Sequence, residues 1–282
     1  MMAGRTALIA GRGALPAHLA RALAAGNEPF VIAQVEGFEM ENPDGLPVET
    51  FALERLALLF DHLHDRGVER VVMAGAVTRP RLDPERIDPK TAQLLPRILP
   101  LLAQGDDAAL RAVLALFEED GFTVAGADAI APDLLPDPGV PTRARPGSAD
   151  KADAARAAGI VAALGAADVG QGAVVAQGLC LAVETLPGTD AMLDWVVATA
   201  GACRPDPGGA RGVFLKAPKP DQDRRIDLPT IGPATIEAAA RAGLAGVAVE
   251  AGGVLVLDPD ATIARADALG LFLWIRPPCG SS

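Results

Sequence analysis

The densest run of polar chemistry in this sequence is Lys216-Ala-Pro-Lys219-Pro-Asp221-Gln222-Asp223-Arg224-Arg225-Ile-Asp227-Leu-Pro229. It leaves an apolar strand and runs into a helix near Gly232. Carboxylate oxygens are the natural ligands of Mg²⁺, which keeps several waters and binds substrate phosphates. Lysine and arginine neutralise charge on a phosphoryl group in transfer. Prolines 218, 220 and 229 restrict the loop and so pre-order these groups. The alternative is a solvated charged loop with no chemistry.

Other polar groups stand where elements end. Gly11-Arg12-Gly13 lies between an apolar strand and a helix, where backbone N–H groups can face a phosphate or merely turn the chain. A dinucleotide fingerprint would need a glycine at position 16; Pro16 is there, and only Glu36 could serve as the acidic residue after the second strand. Gly75-Ala-Val-Thr-Arg79-Pro80 follows another buried strand, so Arg79 could meet an anion or form a surface salt bridge. Asp106 and Asp107 open a helix and read most simply as caps. Glu184 closes a strand and could face solvent. Asp190 is a plausible cap, beside a Gly188-Thr189 backbone that a phosphate or sugar could approach.

Several chemistries lack a foothold. Histidines 18, 62 and 64 do not make a metal set, because His62 and His64 point to different faces of a helix. No G-x-S-x-G nucleophile elbow occurs. Cys180, Cys203 and Cys279 are too scattered for a disulfide framework or thiolate zinc site. Water activated by a metal is therefore the expected nucleophile. A net charge of −11 argues against nucleic-acid binding, so an anionic substrate needs local positive charge. No run resembles a signal peptide or a membrane span, and a cytoplasmic location is expected.

The positioning elements follow from hydrophobic pattern. Strands are expected at Thr6–Ala10, Pro29–Val35, Val71–Ala74 and Phe122–Ala125, alternating with helices that start after Gly13 and at Leu53, Leu94 and Ala108. This alternation predicts a parallel, Rossmann-like sheet in an N-terminal domain, residues 1–131. Five prolines between Ala131 and Gly147 mark residues 132–147 as a linker. Residues 148–282 then form a second, mixed-sheet α/β domain. Its expected helices are one capped by Ser148, one from Gly188 and one over Pro233–Ala242. Its strands are Ala173–Ala176, Leu179–Glu184, Val213–Lys216, Val247–Glu250, Val254–Leu257 and Leu271–Ile275. With eight Phe and two Trp, both cores must be mainly aliphatic.

Taken in order, these stretches resemble the UDP-2,3-diacylglucosamine pyrophosphatase family of the LpxI type, which acts in lipid A biosynthesis in Gram-negative bacteria. The most specific part runs from Leu181-Ala-Val-Glu184 through Gly188-Thr189-Asp190-Ala-Met-Leu193 to Lys216-x-x-Lys219-Pro-x-Gln222-Asp223-x-Arg225-x-Asp227-Leu-Pro229-x-Ile-Gly232-Pro233-x-Thr235. Gly11-Arg12-Gly13-x-Leu15-Pro16, Gly75-x-Val-x-Arg79-Pro80 and Gly105-Asp106-Asp107 also resemble the family pattern.

The resemblance implies a two-domain, Mg²⁺-using hydrolase that binds a lipid-linked UDP-sugar between its domains and releases UMP and 2,3-diacylglucosamine 1-phosphate. On that reading Asp227 and Asp223 hold Mg²⁺ and its water, Lys216 and Arg225 stabilise phosphoryl charge, and Gln222 orients substrate. Gly11, Arg12, Gly13, Gly75, Arg79, Asp106, Asp107, Glu184, Gly188, Thr189, Asp190 and Lys219 complete the expected substrate contacts. The apolar run Leu94–Leu102 is either a kinked core helix or a surface for acyl chains at the inner membrane. A homodimer is compatible with the sequence. Two other classes stay open: an NAD(P)-dependent oxidoreductase resting on the first glycine turn, and a nucleotide-sugar binding protein without catalysis.

Overall fold

The computed structural model describes residues 4–78, 82–102, 106–220, 222–226 and 228–278, without the side chains at 98, 101, 102, 106, 107 and 200–202. The chain forms two compact units. The first takes the residues up to Pro132 together with a short return segment that begins at Asp223; the second takes the rest.

In the first unit, β1 (Arg5–Ala10), α1 (Leu15–Ala25), β2 (Phe30–Val35) and β3 (Glu49–Phe51) are followed by α2 (Leu56–Asp65) and β4 (Val68–Ala74). Then come α3 (Pro89–Leu102), α4 (Asp106–Glu119), β5 (Thr123–Ala125) and the single turn α5 (Ala127–Ile130). The strands pair in parallel in the order β3-β2-β1-β4-β5, the Rossmann-like arrangement expected from the alternation. Pro16 sits in the first turn of α1, where its missing N–H has no intrahelical partner to lose.

The apolar faces of α2 and α4 supply Leu56, Leu59, Phe60, Leu63, Leu114 and Phe117 to the core over the sheet, with the Phe60 and Phe117 rings edge to face at 4.8 Å. Ile226, only 3 % exposed, joins this core from the distant return segment. Helix α3 continues through Pro96 and Pro100. Its Leu94 packs on the core while Leu99 is half exposed, so it is amphipathic and not wholly buried.

The second unit begins with the proline-rich stretch, which is not a free connector. Leu134 is buried, Gly139 exchanges two backbone hydrogen bonds with Ile275, and the Thr142 hydroxyl accepts from the Leu273 N–H. The expected linker is thus an added edge on the second sheet, because an extended proline-rich chain suits a position where few N–H donors are required.

Next come α6 (Ser148–Ala166), β6 (Gly172–Ala176), β7 (Leu179–Val183), α7 (Gly188–Cys203), β8 (Val213–Lys216), β9 (Thr230–Ile231) and α8 (Pro233–Arg241). The unit closes with β10 (Gly246–Glu250), β11 (Leu255–Val256), α9 (Pro259–Leu269) and β12 (Phe272–Arg276). Ser148 is not the cap of α6: Gly147 is, and the Asp150 carboxylate accepts its N–H at 2.8 Å.

The main sheet has the order β12-β10-β8-β6-β7, with β6 antiparallel to both neighbours, while β9 and β11 form a separate parallel pair. Alternate side chains divide between two cores. Val174, Phe214, Val247 and Leu273 pack with α7, α8 and α9, whereas Ala173, Val175, Leu215 and Ala248 pack with α6. Because β7, β8, β10 and β12 run the same way, their C-terminal ends share one edge, which carries Glu184 and Lys216.

Candidate functional site

Lys216 ends β8 with its side chain only 8 % exposed, so its ammonium needs partners in place of water. Nζ donates to Thr189 Oγ1 at 2.8 Å and to the Thr230 carbonyl at 3.3 Å, and lies 3.8 Å from Glu184 Oε1. Thr189 donates to Glu184 Oε1 at 3.0 Å. Three segments meet here for backbone reasons. Gly172 pairs with Lys216 across β6 and β8, and its carbonyl accepts the Glu184 N–H at 2.8 Å. A Cβ on Gly172 would lie 2.5 Å from Glu184 Oε2, so the bare glycine leaves this carboxylate the place it takes. Gly188, with φ of +86°, turns the chain into α7 and brings Thr189 inward.

The sequence expectation for Glu184 admitted a solvent-facing side chain; it is instead 8 % exposed. Asp190, in the first turn of α7, is exposed. Lys219 makes a 2.5 Å ion pair with Asp168, a partner with no sequence signal because it lies in the turn after α6 at φ of +52°. The Lys219 N–H donates to Gln222 Oε1, and Gln222 N–H donates back to the Lys219 carbonyl, closing a tight turn.

The polar loop then divides. Lys216, Lys219 and Gln222 belong to the second unit; Asp223 and Arg225 belong to the first, where Ile226 is anchored in the core. Arg225 donates through Nε and Nη2 to Asp223 and through Nη1 to Glu118 at 2.6 Å. This forked contact holds the Asp223 carboxyl below its usual range and raises the Arg225 guanidinium further.

Both Asp223 oxygens therefore face a guanidinium, and Asp227 lies outside the described residues. Among the described residues no group of three His, Cys, Asp or Glu side chains could hold a metal ion.

At the end of the first sheet, the two glycine loops serve each other. Gly11 N–H donates to the Ala74 carbonyl at 2.8 Å, and Arg12 and Ala76 exchange backbone hydrogen bonds of 3.0 and 2.9 Å. The N–H groups of Gly11 and Arg12, which the phosphate reading wanted facing a ligand, are thus bonded to backbone oxygens. The Arg12 side chain donates to the Gly37 carbonyl and lies 5.0 Å over the Phe38 ring. Gly13, at φ of +99°, leads into α1. Arg79 lies outside the described residues, and Asp106 and Asp107 open α4 with side chains that are not described.

Sequence reasoning missed Thr230, Asp168 and Glu118 as partners of the charged loop. Thr230 acts through its carbonyl, which no side-chain pattern reveals. No described helix is long and apolar enough to cross a membrane.

Comparison with known proteins covers both units. The model of the LpxI N-terminal domain matches residues 5–134 and that of the LpxI C-terminal domain matches residues 137–274. A Caulobacter vibrioides protein named UDP-2,3-diacylglucosamine pyrophosphatase LpxI is 41% identical over 266 residues, covering 94% of this chain and 95% of that protein. A solved CobK precorrin-6A reductase aligns over 99% of this chain and 90% of its own at 16% identity, with a TM-score of 0.33, too low to inform fold or function. The polar motifs, the two domain matches and the full-length relative lead to one assignment: the chain belongs to the LpxI family.

Proposed function

We propose that this chain hydrolyses the pyrophosphate of UDP-2,3-diacylglucosamine, a step of lipid A biosynthesis, releasing UMP and 2,3-diacylglucosamine 1-phosphate. The observation that carries the reading is the full-length identity to a relative with that printed activity. The site chemistry supports it: the buried Lys216 ammonium is a fixed positive charge at a sheet edge, in a chain whose net charge is −11.

In the reaction, water oxygen bonds to one phosphorus, the bridging P–O bond breaks, and negative charge builds on the phosphoryl oxygens. A pre-placed ammonium stabilises that charge without reorganising, since its position is already set by Thr189 and Thr230. Arg225 is committed to Asp223 and Glu118 through three of its nitrogens, and this proposal gives the electrostatic role to Lys216.

The test is UMP release by the purified chain from the acylated substrate, with deacylated UDP-glucosamine as control and with Mg²⁺ or EDTA present. Release from the acylated substrate supports the assignment. Failure of a folded chain under every divalent ion overturns it in favour of a nucleotide-sugar binding protein. Loss of release in EDTA supports the magnesium requirement, and unchanged release removes it.

A further inference from the structure

We infer that Thr189 and Glu184 are positioning residues that hold the Lys216 ammonium, and not ligands of the substrate. This rests on the proposed role of Lys216 and revises the contacts the sequence motif implied.

Proton direction carries the argument. An ammonium has no lone pair, so in its 2.8 Å contact with Lys216 the Thr189 hydroxyl can only accept. Its one proton then goes to Glu184 Oε1, 3.0 Å away. Thr189 is thereby fully oriented by the protein, its oxygen accepting from the cation and its proton given to the carboxylate. The chain Nζ–H to Oγ1–H to Oε1 has one sense only.

The 3.8 Å gap between Lys216 Nζ and Glu184 Oε1 is the second observation. With Oγ1 2.8 Å from Nζ and 3.0 Å from Oε1, the three atoms form a triangle in which the hydroxyl lies beside the charge pair and bonds to both members. The hydroxyl thereby ties the ammonium to the carboxylate, whose opposite charge attracts it across the gap. Glu184 Oε2 is buried without a hydrogen-bond partner, so a carboxylate is kept here at some cost in desolvation. The missing Cβ of Gly172 gives that oxygen its space.

Thr189→Val keeps the shape but puts a methyl where the hydroxyl was, so the ammonium loses one hydrogen bond and is no longer tied to Glu184. A misplacement of about 1 Å in a catalytic group lowers turnover roughly tenfold to a hundredfold. The experiment compares wild type, Thr189→Val and Thr189→Ser by kcat and KM for UMP release, and by the ¹⁵N-lysine ammonium signal of the substrate-free chain. Lys216→Met identifies that signal by its disappearance.

The expected result is a kcat at least about tenfold lower in Thr189→Val with KM within about twofold, a shifted Lys216 ammonium signal, and recovery of both in Thr189→Ser. A raised KM at unchanged kcat makes Thr189 a substrate ligand and overturns the inference, as does an unmoved ammonium signal. If Thr189→Val does not fold, Glu184→Gln replaces it: the same signal must shift and kcat must fall, and an unshifted signal is again fatal. If wild type releases no UMP, the functional proposal fails while the ammonium signal still decides the network.

Discussion

Lys216 Nζ and Glu184 Oε1 stand 3.8 Å apart, each on a side chain about a tenth exposed, with the Thr189 hydroxyl beside them and hydrogen-bonded to both. Removing one member of such a pair leaves the other charge buried. Lys216→Met should cost about 3–5 kcal/mol of stability as well as turnover. The double variant Lys216→Met/Glu184→Met removes both charges and should recover most of that stability with turnover still lost. Urea unfolding beside UMP release checks this; recovery of activity in the double variant would contradict a catalytic role for the lysine.

A different kind of constraint governs the first unit. Gly75 has φ of +89°, and an added Cβ would lie 2.6 Å from the Gly11 carbonyl oxygen and 2.7 Å from that of Arg12. Those are backbone atoms, which cannot swing aside. Gly75→Ala should lower stability by at least about 1–3 kcal/mol through the backbone conformation alone, and more as the Arg12–Ala76 bridge opens. Hydrogen exchange at the Arg12 and Ala76 amides should rise; unchanged protection there would show that the loops do not depend on the glycine.

Much of the fold was legible because it rests on apolar periodicity: except for the three-residue edge strand β3, the strands of both main sheets occur within a few residues of their expected places, as do most longer helices. Helix α9 was missed because its buried face is Thr262 and Ala266, small side chains that leave no apolar stripe. The two-residue strand β9 was too short to register. The chemistry of the loop from Lys216 to Pro229 was also readable, but its division between units was not. That division depends on Ile226, one apolar residue within a charged run, finding a core assembled from residues more than a hundred positions earlier. Lys219 likewise looked available, whereas Asp168 holds it from a turn that carries no motif.

Asp153 illustrates a buried carboxylate with a structural task. It is 2 % exposed and accepts the N–H groups of Gln177 at 3.0 Å and Gly178 at 2.7 Å, the turn residues that join β6 to β7 at φ of +53° and +76°. Asp153→Ala removes both acceptors and should destabilise the chain by roughly 1.5–3 kcal/mol, while Asp153→Asn, which keeps one acceptor oxygen, should cost less. Thermal unfolding of the pair gives the comparison. Equal losses in the two variants would point to packing instead of hydrogen bonding.

Asp223 and Arg225 make stability depend on pH in a predictable direction. The Arg225 guanidinium, by hydrogen bonding first, holds the Asp223 carboxyl below its usual range, so the folded chain favours the ionised form more than the unfolded chain does. The resulting stabilisation is fully present above the unfolded value, about pH 3.9, and is lost as pH falls through the lower folded value. Asp223→Asn, which cannot ionise, should therefore be less stable than wild type at neutral pH, by about 1 kcal/mol or less given that the Arg225 side chain is 42% exposed. The difference should shrink only below about pH 4 and should narrow in high salt. Denaturation midpoints measured from pH 7 down to pH 2.5 test the sign: a gap that widens toward acid would mean that the pair does not stabilise the anchored segment at Ile226.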